Sequence, residues 1–346
     1  MYFKTLNDGT DVVQDVGLVT SGIFQDGASS ITAFHTSSTQ HTNTGDYSID
    51  VFRYDPGTNA SASVQFGVAF GNAEGSGSLG TKGATGDRTT AAVFGQLNNI
   101  INPPQTTRFT FGPVSDVKNI YTLSFNRARV REEIEPGGWE LHLNNGSGKT
   151  VKLIDDSSTL EGGNNNQRNF SPEFNIVSGT LVGGTTIKTA AASENATLGS
   201  YGTFYPSLGL LVFNAQRFSG VGATEGMSLV TLSGSNSDDR NALTFFKTIK
   251  NGAYFQAKRQ EEVTSRHYFV RATAGEFNST TNETFYTESV SGIKKVIPGL
   301  RTDPKTYITT VGMYNNNNEL LAIAKLSQPI LKSKSREALI KVKLDF

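Results

Sequence analysis

Apolar side chains recur at every second position through much of this chain. Val64, Phe66, Val68 and Phe70 alternate with small or polar residues, and Ile340, Val342, Leu344 and Phe346 alternate with Lys341, Lys343 and Asp345. Successive side chains of a strand point to opposite faces, so this period predicts strands with one buried face and argues against helix over those segments. Further strand candidates lie at 48–54, 108–111, 120–125, 139–143, 151–154, 208–213, 268–271, 307–314 and 320–325. Turn-forming residues separate them: Asp55-Pro56-Gly57, Asn144 to Gly148, and Asn315 to Asn318. Many short strands joined by polar turns predict a mainly β protein of antiparallel sheets in sandwich-like domains.

Helical spacing interrupts this pattern twice. Ala242, Phe245, Phe246 and Ile249 fall on one face of a helix predicted over 238–250, with Ser237 as N-cap, Asp238 and Asp239 in the first turn, and Gly252 just beyond the end. Val93, Leu97, Ile100 and Ile101 mark a second helix over 90–101, ended by Pro103-Pro104. Long Gly- and Asn-rich loops are expected over 71–86 and 161–169, where large apolar groups are nearly missing. The division into domains is expected between a β-rich region at 1–155 and a second at 156–346, with the boundary somewhere in 155–200.

Charge and cysteine usage narrow the function classes. Lys plus Arg and Asp plus Glu both number 31 in 346 residues, and a chain that wraps nucleic acid ordinarily carries a basic excess. Charged residues are 18% of the chain, below the roughly 25% of ordinary soluble domains, with Gly, Ser, Thr and Asn making up the polarity. Cys is absent, which excludes disulfides, thiolate zinc sites and a Cys nucleophile. The longest apolar run, Leu208 to Phe213, is far short of the roughly 20 residues that span a bilayer. The first residues lack a basic stretch followed by an apolar block, so no secretory leader is expected.

Motif-like strings carry little chemistry. Gly75 to Gly80 matches G-x-G-x-x-G in letters, but Thr81-Lys82-Gly83-Ala84-Thr85-Gly86 does not open a packed helix. Gly146-Ser147-Gly148-Lys149-Thr150 ends like a phosphate loop but has Leu143 where that loop needs Gly, and is expected to be a hairpin turn. His35, His41, His142 and His267 lack metal-site spacing. The acidic clusters Glu132-Glu133-Ile134-Glu135, Asp155-Asp156 and Glu261-Glu262 neighbour Arg131, Lys152 and Arg259, and solvated or interface ion pairs account for them. Tyr201, Phe204 and Tyr205 could offer a sugar platform but fit core packing more simply. No catalytic, cofactor-binding or metal-ligating residue is assigned.

Longer segments add a resemblance. Asn241 to Ala253, Gln256 to Arg271, Thr306 to Tyr314, Glu319 to Ser327 and Glu337 to Phe346 are similar to a family of virion structural proteins of marine T-even-like myoviruses, particularly those infecting cyanobacteria. Phe94 to Ile101 and Asn126 to Arg129 are reminiscent of the same family. The resemblance implies a non-enzymatic tail subunit, with a baseplate wedge as the first assignment and a neck or tail-fibre connector as the second. It implies multiple copies in the particle, partners among other phage tail and baseplate proteins, and no cofactor, membrane or direct nucleic-acid contact. Such a protein would be made in the host cytoplasm and end in the virion. A receptor- or glycan-binding tail module and a tail-associated glycan hydrolase are the competing classes.

Overall fold

The structure, a computed structural model, describes residues 3–37, 48–75, 88–106, 108–157, 173–181, 199–219, 241–288 and 292–346, and is mainly β. Along the chain the strands are β1 (Val12–Gly22), β2 (Ser30–Ile31), β3 (His35–Thr36), β4 (Ser48–Phe52), β5 (Val64–Asn72), β6 (Phe109–Phe111) and β7 (Val114–Val117). Next come β8 (Asn119–Phe125), β9 (Glu133–Ile134), β10 (Glu140–Asn144), β11 (Thr150–Asp155), β12 (Phe174–Ser178), β13 (Gly202–Tyr205) and β14 (Leu210–Asn214). The last are β15 (Phe255–Gln256), β16 (Lys258–Ala272), β17 (Tyr286–Glu288), β18 (Lys294–Val296), β19 (Lys305–Tyr314), β20 (Leu320–Ser333) and β21 (Ala338–Asp345). Helices are α1 (Arg88–Ile101), α2 (Arg127–Val130), α3 (Ala215–Ser219), α4 (Asn241–Gly252) and α5 (Pro298–Thr302).

The chain forms two units, Val19–Glu261 and a smaller one made of Met1–Leu18 with Glu262–Phe346. The division expected within 155–200 is not where they part. Residue 155 ends β11, which pairs with β12 in one continuous sheet, so that boundary falls between hydrogen-bonded neighbours. The chain passes between units inside β1 and inside β16 instead.

The larger unit is built on one eleven-stranded sheet in the order β2-β15-β10-β11-β12-β13-β14-β8-β5-β4-β3. Its first and last strands are only three residues apart in sequence, because Thr32, Ala33 and Phe34 alone join β2 to β3. Eleven strands about 4.8 Å apart would span roughly 48 Å if flat. The link from Ile31 to His35 reaches at most about 14 Å. The sheet therefore has to curl, and it forms a half-barrel. Its concave face is lined by aromatic rings: Phe255 of β15 meets Phe66 of β5 at 5.4 Å, Phe125 of β8 at 5.5 Å and Phe24 at 5.5 Å.

Alternation along the strands separates two cores. In β8, Tyr121, Leu123 and Phe125 join the inner core while Ile120 joins the outer one; in β14, Leu211 and Phe213 point in and Leu210 and Val212 point out. Helix α4 fills the inner side, with Phe245 stacked on Tyr121 at 4.5 Å and against Phe213 at 5.4 Å. Its start is described from Asn241; Ser237, Asp238 and Asp239 lie outside the described residues. Helix α1 covers the outer side through Phe94 and Ile101, together with the β6–β7 hairpin. It comes so close to β5 that a Cβ on Gly71 would stand 3.2 Å from the Phe94 backbone. The two Gly-rich loops expected at 71–86 and 161–169 fall largely outside the described residues.

Buried carboxylates pin the turns of this unit. Asp155 is 1% exposed and accepts from the amides of Gly137 and Ser157, and Asp156 accepts from the Asn175 amide and side chain. N–H donors thus meet Asp155 and Asp156 where ion pairs were expected, and burial pushes both carboxyls above their ordinary range. The expected ion pairing does hold at Glu261, which meets Arg131 at 3.0 Å and Arg259 at 3.1 Å.

The smaller unit contains the sheet β1-β16-β21 and the two-stranded hairpins β17–β18 and β19–β20. Among its described residues the buried apolar side chains are Ala272, Phe285, Ala338, Ile340 and Val342.

Candidate interaction surface

Strand β1 carries Val12, Val13, Val16, Leu18 and Val19 without strict alternation. In a strand with one covered face, apolar residues two apart would be buried together. Here Val13 lies on one face and Val16 and Leu18 on the other, yet all three are half or more exposed, Leu18 at 58%. In β21 only one face is covered: Ala338, Ile340 and Val342 are buried, while Leu339 on the opposite face is 64% exposed.

The β19–β20 hairpin continues the theme. Its strands run ten and fourteen residues and, among the described residues, pair only with each other. Asn315 shapes the turn by accepting from the amides of Asn317 and Glu319. Two-stranded ribbons are marginal in water without a surface to lie on. This one leaves Tyr307, Tyr314, Leu320, Leu321 and Ile323 exposed, Leu321 at 68%. At its base, Lys332 is fully buried, and its ammonium donates to the Ala274 and Ser333 carbonyls and the Asn278 side chain. Three acceptors satisfy the three ammonium hydrogens, so the base of the hairpin is fixed, and near its turn the Tyr314 ring meets Phe3 at 5.1 Å. The N-terminal segment is tied down by Lys4, which meets Glu276 at 2.9 Å and holds that carboxyl down at about 2.

The residues singled out from sequence are dispersed. Gly146 and Gly148 form the β10–β11 turn, with φ of 79° and 93° and the Asn145 amide donating to the Lys149 carbonyl, as expected of a hairpin. Of the G-x-G-x-x-G string only Gly75 is described. Tyr201, Phe204 and Tyr205 are buried, Phe204 against Trp139 and Phe174, so they pack the cores. His35 sits in β3 and His267 in β16, and His41 lies outside the described residues. Among the described residues no group of three His, Cys, Asp or Glu comes together as a metal site. No described helix is long and apolar enough to cross a membrane.

His142 has a partner that the sequence reading missed. Two residues apart on β10, Glu140 and His142 share a face, and the ring Nε2–H donates to the Glu140 carboxylate, which is 1% exposed. Burial pushes the Glu140 carboxyl up, but His142, the Leu181 amide and the Thr180 hydroxyl together outweigh it and hold the group below its ordinary range. The i, i+2 spacing within a predicted strand was the available signal. On the outer side, Asn102, Thr110, Glu173, Asn175 and Thr203 with Tyr205 line a mainly polar cavity of about 260 Å³.

Comparison with known protein families, curated proteins and solved structures found no match.

Proposed function

We propose that this chain is a bacteriophage virion structural protein, a tail or baseplate subunit that works through protein–protein interfaces. The observation that carries the reading is the smaller unit, where β1 is exposed on both faces and a long hairpin carries exposed Tyr, Leu and Ile side chains. Contiguous exposed apolar surface is the mark of a surface meant to be covered. The few buried apolar residues of this unit give it little core of its own. The resemblance to virion proteins of cyanobacterial myoviruses, over roughly 200–346, takes in both units, and its segments 306–314, 319–327 and 337–346 fall on this smaller one. A baseplate wedge is the assignment that resemblance favours, with a neck or fibre connector next.

The test is cryo-electron microscopy of intact and contracted particles, locating the chain and its neighbours. The expected result is a tail position in which β1 and the β19–β20 hairpin are covered, with more than about 1,000 Å² buried per contact. A chain missing from the particle, or present with the hairpin fully solvated, overturns the proposal.

A second reading, receptor or glycan binding, rests on the polar cavity beside Asn102, Glu173 and Asn175. Binding to a glycan array that is lost in Asn175→Ala would favour it.

A further inference from the structure

Among the described residues the sheet of the smaller unit ends in two strands whose outer edges are open, with Asp11 and Asp15 along the β1 edge and two lysines along β21. The Phe269 amide donates to the Asp11 carbonyl, and the Ile23 amide to the Ala257 carbonyl, so β1 runs antiparallel to β16. On the other side the Phe346 amide donates to the Thr264 carbonyl, in register with the antiparallel β16–β21 ladder. Backbone groups of alternate residues point to alternate sides of a strand. Val12, Gln14, Val16 and Leu18 therefore turn their backbone groups away from β16, and so do Leu339, Lys341, Lys343 and Asp345. Among the described residues no backbone partner meets these outward groups.

Side chains follow the same registers. Lys341 is paired with Phe269, Lys343 with His267 and Asp345 with Ser265. Asp11, Val13 and Asp15 stand across from Phe269, His267 and Ser265 on the other side of β16, so all of these share one face of the sheet. On that face β1 carries Asp15 with Asp11 just before it, β16 carries Arg271 beyond Phe269, and β21 carries Lys341 and Lys343 with Asp345 at its end. Several of its charges are already engaged. The Asp11 carboxylate accepts from the Asn7 amide and the Thr10 hydroxyl, and Asp345 from the Ser265 hydroxyl and the Lys343 ammonium. Lys341 stands 5.7 Å over the Phe269 ring, and no ion pair engages Asp15 among the described residues.

We infer that the occupant of these edges is a second copy of this chain: the β21 edge of one copy adds to the β1 edge of the next, staggered by four residues so that Lys341 stands beside Asp15. The inference rests on the structural-subunit reading and deepens it. Both strands are antiparallel to β16 and hence parallel to each other, so the added copy keeps its strand direction and its charged face on the same side. Within one copy Lys341 is level with Asp11 and Asp345 with Asp15, so an unstaggered junction sets two carboxylates together, and a four-residue stagger of about 13 Å along the strands parts them. The junction is a parallel ladder, and β16 lies inside the resulting continuous sheet. Because the contact is head to tail, its repetition closes into a ring or runs on as a filament. Like-charged edges, by contrast, repel when β1 meets β1 or β21 meets β21.

Sedimentation velocity and native mass spectrometry on the full chain over a concentration series test this. The expected result is a concentration-dependent oligomer. Val16→Pro removes an N–H that points away from β16, so the internal ladder survives while the junction is blocked. Asp15→Lys alone and Lys341→Glu alone should each weaken assembly by about tenfold or more, and the two together should restore it. If Val16→Pro lowers thermal stability, the charge-reversal pair decides alone, since both positions are on the surface. A chain that stays monomeric at all concentrations overturns the inference and leaves the edge to a foreign strand. An oligomer indifferent to the charge reversals overturns it too. Location of the chain in virions would stand in either case, so the two proposals fail separately.

Discussion

The rings of Phe66 and Phe255 meet at 5.4 Å and nearly at right angles, although β5 and β15 are the ninth and the second strands of the sheet. This contact bridges the concave side of the half-barrel, and Phe255 also touches Phe24 and Phe125. Truncating it removes three ring contacts at once. Phe255→Ala should cost about 3–5 kcal/mol, read as a lower denaturation midpoint in urea, whereas Phe346→Ala at an exposed position should change it by less than about 0.5 kcal/mol.

Gly252 closes α4 against β10. A Cβ there would lie 2.0 Å from the His142 carbonyl oxygen, a backbone atom that cannot swing aside. Gly252→Ala should therefore destabilise the larger unit by about 1–3 kcal/mol, with the loss visible in thermal unfolding. An unchanged midpoint would mean that helix and strand can part without cost.

Asp155 makes a pH-dependent contribution of unusual sign. Its carboxyl is raised by burial, so the folded state binds a proton that the unfolded state has released. Its contribution is full below the unfolded value near 3.8 and is lost as pH rises through the raised folded value. Asp155→Asn keeps an oxygen for the Gly137 and Ser157 amides and is uncharged. At pH 7 it should be neutral or stabilising, while Asp155→Ala, which orphans those amides, should cost about 1–3 kcal/mol. Denaturation of the two variants at pH 4 and pH 7 checks both statements.

Glu276 has the opposite sign. Lys4 and the Thr273 amide hold its carboxyl at about 2, below its ordinary 4.5. The tie on the N-terminal segment is present above pH 4.5 and is lost as pH falls from there toward 2. The protection of the residue 4–11 amides, taken relative to their intrinsic exchange at each pH, should fall over that window in the native chain, and Glu276→Gln should show the lower protection already at pH 7.

Sequence pattern made the inner sheet legible where each strand has one wet or one differently packed face. Val64 to Phe70 and Ile120 to Phe125 were marked by alternation, and the helix at Asn241–Gly252 by its Phe245–Phe246–Ile249 stripe. Strand β1 escaped because both of its faces are exposed, which removes the alternation that marks a strand. Strands β12 and β13 escaped because five and four residues carry too few repeats. The unit division was illegible for a different reason: residues 11 and 269 are joined by strand pairing, and no local composition reports a partner so far along the chain. The basic and acidic edges were written in Asp15, Lys341 and Lys343, but only the registers with β16 place them on one face.

The three-residue bridge from Ile31 to His35 also sets when folding can finish. Strand β2 takes its partner from Phe255 and Gln256, more than two hundred residues downstream. During synthesis at about 5–20 residues per second, the N-terminal segment waits roughly 10–45 s for that partner to leave the ribosome. Throughout that delay the Phe24 and Phe66 rings lack the ring that covers them. Completion of the larger unit is timed by the arrival of β15, and a nascent chain stalled before it is the form most in need of a chaperone.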